Sequence, residues 1–272
     1  MGFFDFLTGK GKGGGVAKLA ANANNKYMQS ADRYRALEKL RDDGGDEALA
    51  GMLRRFTWNY DKTIEDEQEK ESVHDWLVEM ATYEQKGGDA AGIDDKDRQA
   101  ARDQRATVMR ALEKSILGAD TISLQLRVVD HVAGHDESWP ILERVIAAND
   151  NQYVRDPSKK VQLINFLGEG FKDPRAAGAL IQYLSDADEA VRFHTVEALL
   201  NQGNEEIARE PLLKLLVSKD EESRRIKIRV LDLFVETGWV THGFKGEVEA
   251  EIQSLGLQYT VDNKGRIKKP QK

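Results

Sequence analysis

The 272-residue chain contains no cysteine, which excludes disulfides, thiolate nucleophiles and sulfur-ligated metals. That absence fits a reducing compartment. Proline is scarce, with five residues, and aromatics make up only 7%. β-Branched runs of strand length are nearly missing. No window approaches the roughly 18 apolar residues of a membrane span. The N-terminus lacks the basic region and long apolar stretch of a secretory signal. The expected location is therefore cytoplasmic, with a peripheral membrane position as the variant. The sequence also lacks the phosphate-cradling G-x-x-x-x-G-K-[ST], a dinucleotide fingerprint, H-E-x-x-H and G-x-S-x-G. No catalytic residue, cofactor or metal set is predicted, and the chain is expected not to be an enzyme.

What is present favours helix. Ala, Leu, Glu, Lys, Arg and Gln dominate, the residues that lose least on entering a helix. Charged residues reach 32% and mean hydropathy is −0.58, so surface is large relative to core. An elongated stack of helices has that ratio. The net charge of −7 is uneven: residues 1–30 carry +3 and residues 263–272 carry +5, leaving −15 on residues 31–262. An acidic body is a poor match for nucleic acid, whose phosphates must be neutralised.

Three segments differ from the helical pattern. Residues 1–15 combine an apolar hook (Phe3, Phe4, Phe6, Leu7) with a Gly/Lys tether. The hook is a candidate for docking to a partner protein or for membrane contact aided by Lys10, Lys12 and Lys18. Phe6 stands where a myristoylation signal wants Ser or Thr, so lipidation is not expected. Residues 86–97, KGGDAAGIDDKD, read as an insertion loop. Near the C-terminus, Tyr259 and Val261 precede a turn at residues 262–265, with Ile267 beyond it. That pattern predicts a small β-hairpin. The expected organisation is the hook and tether at 1–15, a helical body at 16–243, and a helix, hairpin cap and basic tail at 244–272.

Internal repetition organises the body. Gly170 follows Leu163, Phe166 and Leu167; Gly203 follows Val196, Leu199 and Leu200; Gly238 follows Leu231, Phe234 and Val235. Those offsets lie on one helical face, and the closing glycine suits a left-handed stop. Gly44 and Gly87 end weaker copies. The prediction is all-α, about six antiparallel helix pairs with a small C-terminal β-hairpin cap. Residues 173–203 resemble the HEAT-repeat family closely: Pro174 opens the first helix, Asp186 and Asp188 lie in the turn, and Val191 and Arg192 match the pair that opens the second. Residues 211–238 form a looser copy, with Pro211 and Asp220. The resemblance, clear over 157–238, implies a HEAT-like α-solenoid and recognition of partners. It also implies that Arg192 pairs with the turn aspartates.

Four groups of residues are candidate sites. A basic strip on the second helices comprises Arg192, His194, Arg224, Arg225 and Lys227, suited to an acidic peptide or phosphates. Arg54, Arg55, Phe56, Trp58 and Tyr60 form an arginine–aromatic cluster of the kind found at binding hot spots. For Phe56 and Trp58, packing between repeats is the alternative; for Asp66, Glu67 and Glu69 it is helix-dipole complementation. His131 and His135 are four apart, but Gly134 is expected to end the helix between them, so no metal is assigned. Acidic pairs such as Glu221–Glu222 read as solvated. The resulting expectation is a non-enzymatic adaptor or scaffold for a protein partner. Two rivals follow from the resemblance. One is an alkyl-base DNA glycosylase-type protein, for which Trp58, Trp76, Trp139 and Trp239 are the ingredients. The other is an accessory subunit of a bilin lyase.

Overall fold

A computed structural model of the chain describes residues 13–87 and 95–269. Thirteen α-helices lie among these residues: α1 (Gly13–Ala23), α2 (Ser30–Asp43), α3 (Asp46–Leu53), α4 (Thr63–Gly87), α5 (Asp95–Gly118), α6 (Ser123–Val132), α7 (His135–Ala148), α8 (Ser158–Glu169), α9 (Pro174–Leu180), α10 (Glu189–Gln202), α11 (Glu205–Val217), α12 (Arg224–Thr237) and α13 (Lys245–Ser254). Two 3-10 segments, Arg54–Thr57 and Ile181–Ser185, prolong α3 and α9. The fold is all-α, with one short antiparallel hairpin of β1 (Thr260–Val261) and β2 (Ile267–Lys268). It divides into two compact units, Met1–Val145 and Ile146–Lys272.

In the first unit, α1, α3 and α5 contact one another in series, as do α2, α4 and α6, and each layer packs on the other. Short turns force neighbours to run back, so the unit is a stack of helix pairs. Its core lies between the layers: Leu37, Leu40, Leu49, Met52, Phe56, Val73, Leu77, Val108 and Leu112 are almost wholly enclosed. Each such side chain contributes about 1.5–3 kcal/mol by leaving water. Layers approach closely where a residue is small. A Cβ on Gly51 would stand 2.8 Å from that of Ala20, so α3 seats directly on α1.

The second unit repeats the scheme. Second helices α8, α10 and α12 lie side by side; first helices α9, α11 and α13 form the other layer. This is the two-layer stack of an α-solenoid. Leu163, Leu167, Leu180, Tyr183, Val196, Leu199, Leu212, Val230 and Phe234 fill the space between. The turn chemistry is as the sequence predicts: Asp173 caps α9 with Pro174 at its start, and the Asp188 carboxylate accepts from the N–H groups of Ala190 and Val191 to cap α10. Gly203 and Gly238 close α10 and α12 in the left-handed region, at φ 66° and 73°. The hairpin pairs Val261 with Ile267, turns at Gly265 (φ 78°) and packs β2 against α12, with Ile267 buried.

Several expectations are corrected. Gly170 is right-handed at φ −92°, so α8 ends without a left-handed stop. Pro211 lies inside α11, which Asn204 caps. Helix α4 runs to Gly87 and α5 begins at Asp95, so helix takes both edges of the predicted 86–97 loop, while 88–94 fall outside the described residues. Gly13–Gly15, read as tether, form the first turn of α1. The hook residues Phe3, Phe4, Phe6 and Leu7 also lie outside the described residues.

Candidate interaction site

The run Leu53–Tyr60 sends its two arginines in different directions. Adjacent helical residues sit about 100° apart, so one can face inward and the next outward. Arg55 is fully buried. Its Nε meets Glu69 at 2.7 Å, its Nη2 meets Asp66 at 2.6 Å, and its guanidinium stacks 4.0 Å from the Trp58 ring. Arg33 of α2, also fully buried, donates to the same Glu69 at 2.7 Å and stacks 4.1 Å from Tyr60. Trp58 donates from its indole to Asn24, and Phe56 is enclosed in the core. Asp66 is held below the usual carboxylate range: burial pushes it up, but hydrogen bonds from Lys70, Arg55 and the Tyr60 N–H outweigh that. The acids at the start of α4 are therefore not simple dipole complements. Asp66 and Glu69 are the counter-ions of a buried cluster, and Arg55 and Trp58 are held inside it. Of the five residues of the predicted cluster, Arg54 is exposed, Trp58 and Tyr60 are half-buried, and Arg55 and Phe56 are buried.

In the second unit the predicted basic strip is similarly divided. Arg192 donates to Glu221, in the turn of the next repeat, at 2.7 Å, and to the backbone carbonyls of Asp186 and Ala187. The expected pairing with aspartate side chains is replaced by this acid and these carbonyls. Glu221 is buried, contrary to its reading as solvated, and sits below its ordinary pKa. Burial opposes its charge, while hydrogen bonds from Arg192 and the Ser223 N–H more than offset it. Lys227 is buried against Glu251 at 2.7 Å. His194 hydrogen-bonds Asn165 at 3.0 Å. Arg225 is exposed but stacks 3.7 Å from the Phe193 ring. Arg224 is exposed and, among the described residues, makes no ion pair. No continuous basic strip results.

The histidines pair in an unforeseen way. Helix α6 ends before Gly134, as expected, so His131 and His135 do not share a helical face. Instead His131 Nδ1 lies 2.9 Å from Nε2 of the buried His74, whose Nδ1 lies 3.0 Å from Asp75. With both rings neutral, Asp75 as an acceptor places the His74 proton on Nδ1, and His131 Nδ1–H then donates to His74 Nε2. Glu71, His74 and Asp75 also hold ligand atoms within 4.8 Å of one another, with Glu71 3.5 Å from Arg127.

An open cleft of the first unit lies between α3 and α5, with a volume of ≈640 Å³. Arg54 lines it, joined by Arg110 and Lys114 of α5, residues that sequence reasoning passed over. The available signal was their i, i+4 spacing, which sets both on one helical face. Ordinary amphipathic helices carry the same spacing, so only the fold distinguishes it.

Among the described residues, no helix is long and apolar enough to cross a membrane. A search of curated proteins found no match to the chain. Residues 151–232 match the family model for HEAT repeats. They cover the turn-and-cap pattern of Asp173, Pro174, Asp188 and Gly203, together with the Arg192–Glu221 link between repeats. That segment, 151–232, is therefore read as HEAT repeats.

Proposed function

We propose that the chain is a non-enzymatic, cytoplasmic scaffold that holds a protein partner on its helical stacks. The observation that carries this reading is the HEAT-repeat match over 151–232, in a unit whose second helices form one continuous layer. Stacked repeats present extended rigid surfaces, and such surfaces serve chiefly for binding. Within this reading Arg54, Arg224 and Arg225 supply exposed cations, and the apolar Phe3, Phe4, Phe6 and Leu7 act as a second contact element. The acidic body disfavours a nucleic-acid ligand.

Affinity purification with the full chain beside a version lacking residues 1–12, followed by reconstitution of each captured protein from purified components, tests the proposal. A complex that co-elutes in size-exclusion chromatography is expected. Partners lost with the truncation assign the hook, and partners retained assign the helical stacks. Failure of every captured protein to reconstitute sinks the scaffold reading.

A further inference from the structure

We infer that the cleft between α3 and α5 of the first unit is the docking site for an acidic peptide segment of a partner, anchored by an apolar side chain. This rests on the scaffold reading and names the chemistry of the partner. Two helical stripes build the cleft. Ala50 and Leu53 face it from α3, and Ala111, Ser115 and Gly118 from α5. Short side chains on both sides leave the groove open where longer ones would close it.

Charge selects the occupant. Arg54, Arg110 and Lys114 line the cleft, all three exposed. Among the described residues none of them forms an ion pair; Arg110 makes only a 3.4 Å contact to Thr107. Among the arginines of the unit the contrast is plain. Arg33, Arg35, Arg41, Arg55, Arg105, Arg127 and Arg144 each face a carboxylate, and Glu113, next to Lys114, is taken by Arg144. Asp46 and Asp120 also line the cleft, yet the three cations outnumber them. In a chain of net charge −7, unpaired cations gathered round an apolar floor favour carboxylates on the incoming ligand. The volume suits one large apolar side chain with flanking backbone. A groove open along two helices admits a chain segment, which an enclosed cavity would not. The attraction is local, because charges further than about 8 Å are screened at physiological salt.

The test pans a random peptide library displayed on phage against the full chain, then measures a selected, fluorescently labelled peptide by anisotropy. Selected peptides are expected to be rich in Asp and Glu around a Leu, Phe or Trp. Affinity is expected to fall about tenfold or more in Arg110→Glu/Lys114→Glu and in the cleft-filling Ala50→Trp. It should be unchanged in Arg35→Glu/Lys39→Glu, equally exposed on α2, and should weaken as salt rises. Far-UV circular dichroism checks that each variant is folded. Selected peptides without acidic enrichment, or binding that survives Arg110→Glu/Lys114→Glu, overturn the proposal. So does self-association that those substitutions abolish, which would assign the cleft to a second copy of the chain. A reconstituted partner that binds Arg110→Glu/Lys114→Glu as it binds the wild type removes the cleft and leaves the scaffold reading standing. Failure to reconstitute any partner removes the scaffold reading itself.

Discussion

Replacing Glu69 by alanine should cost the first unit about 3–5 kcal/mol, the cost of breaking a buried ion pair by deleting one member. Glu69 is 3% exposed and answers two guanidiniums that are themselves fully buried. Arg33 loses a 2.7 Å bond and Arg55 another of 2.7 Å. Arg33 is left with the Met28 carbonyl, the Ser30 hydroxyl and the Tyr60 ring. Arg55 keeps Asp66, but Lys70 shares that carboxylate at 2.6 Å. Burial alone would lower the pKa of Arg33, and the hydrogen bonds and charges of Glu69 and Tyr60 together reverse that. Without Glu69 the larger part of that compensation is lost. Domains are stable by only about 5–15 kcal/mol, so the loss is a large fraction of the total. Urea unfolding followed by tryptophan fluorescence reads it directly, because Trp58 stacks on Arg55 within the cluster. Glu69→Gln keeps the shape and an acceptor and should cost less. Arg33→Met/Glu69→Leu, which swaps one pair for apolar bulk and leaves Arg55 with Asp66, should recover more than half of the loss. A change below about 1 kcal/mol for Glu69→Ala, or no recovery in the double variant, would falsify the view that the cluster is held by mutual neutralisation.

Gly168→Ala should destabilise the second unit by about 1–3 kcal/mol, because the new Cβ would meet Ala198 Cα at 2.6 Å across the α8–α10 contact. Gly178→Ala, with nothing within 4 Å, should instead stabilise by about 0.5–1 kcal/mol; thermal melts of the two variants side by side check the opposite signs. Glu221 and Glu251 sit below their ordinary pKa values: burial opposes their charge, but the hydrogen bonds from Arg192 and Lys227 prevail. Their contribution to stability is full above the unfolded carboxylate pKa of about 4.3 and is lost as pH falls through the lower folded values. The urea midpoint should therefore drop on acidification from neutrality, and Glu221→Gln should flatten that drop; an equally steep profile in the variant contradicts the assignment. Asp188→Ala removes the cap that accepts from Ala190 and Val191 and should cost about 1 kcal/mol by the same unfolding assay.

The helical architecture was legible because the buried positions recur at 3.6-residue spacing. Leu163 and Leu167, Val196 and Leu199, and Leu231 and Phe234 occupy the core positions that the repeat pattern implies. Helix ends were less legible, since they depend on contacts that sequence spacing does not carry. Arg54–Thr57 and Ile181–Ser185 tighten into 3-10 turns. Gly170 stays right-handed, although it follows the same apolar triplet as Gly203. The site was half legible. The arginine–aromatic cluster was visible as a composition, but Arg54 and Arg55 are adjacent letters with opposite fates. Only the partners at Asp66 and Glu69, on the next helix, decide which of them faces inward. The His74–His131 pair spans 57 residues and left no local signal at all.

The same geometry explains why the predicted basic strip did not form. Lys160, Arg192 and Lys227 occupy equivalent places in the first turns of α8, α10 and α12. Each donates backward to a carbonyl before its own helix: Gln152, Asp186 or Ala187, and Ser218. Each also reaches forward to an acid of the next helix pair or cap, namely Asp186, Glu221 and Glu251, at 2.7 Å in every case. Both cation and acid vary in type along the series, so the link is conserved by position within the stack and not by letter. A basic residue at that place belongs to the seam between repeats, because the helix start aims it at the turn carbonyls and the adjacent repeat supplies the counter-charge. Cations available to a partner must then lie off the seam, on faces where no neighbouring repeat brings a carboxylate. Arg224, one turn earlier on α12 than its buried neighbour Lys227, meets that condition in the second unit.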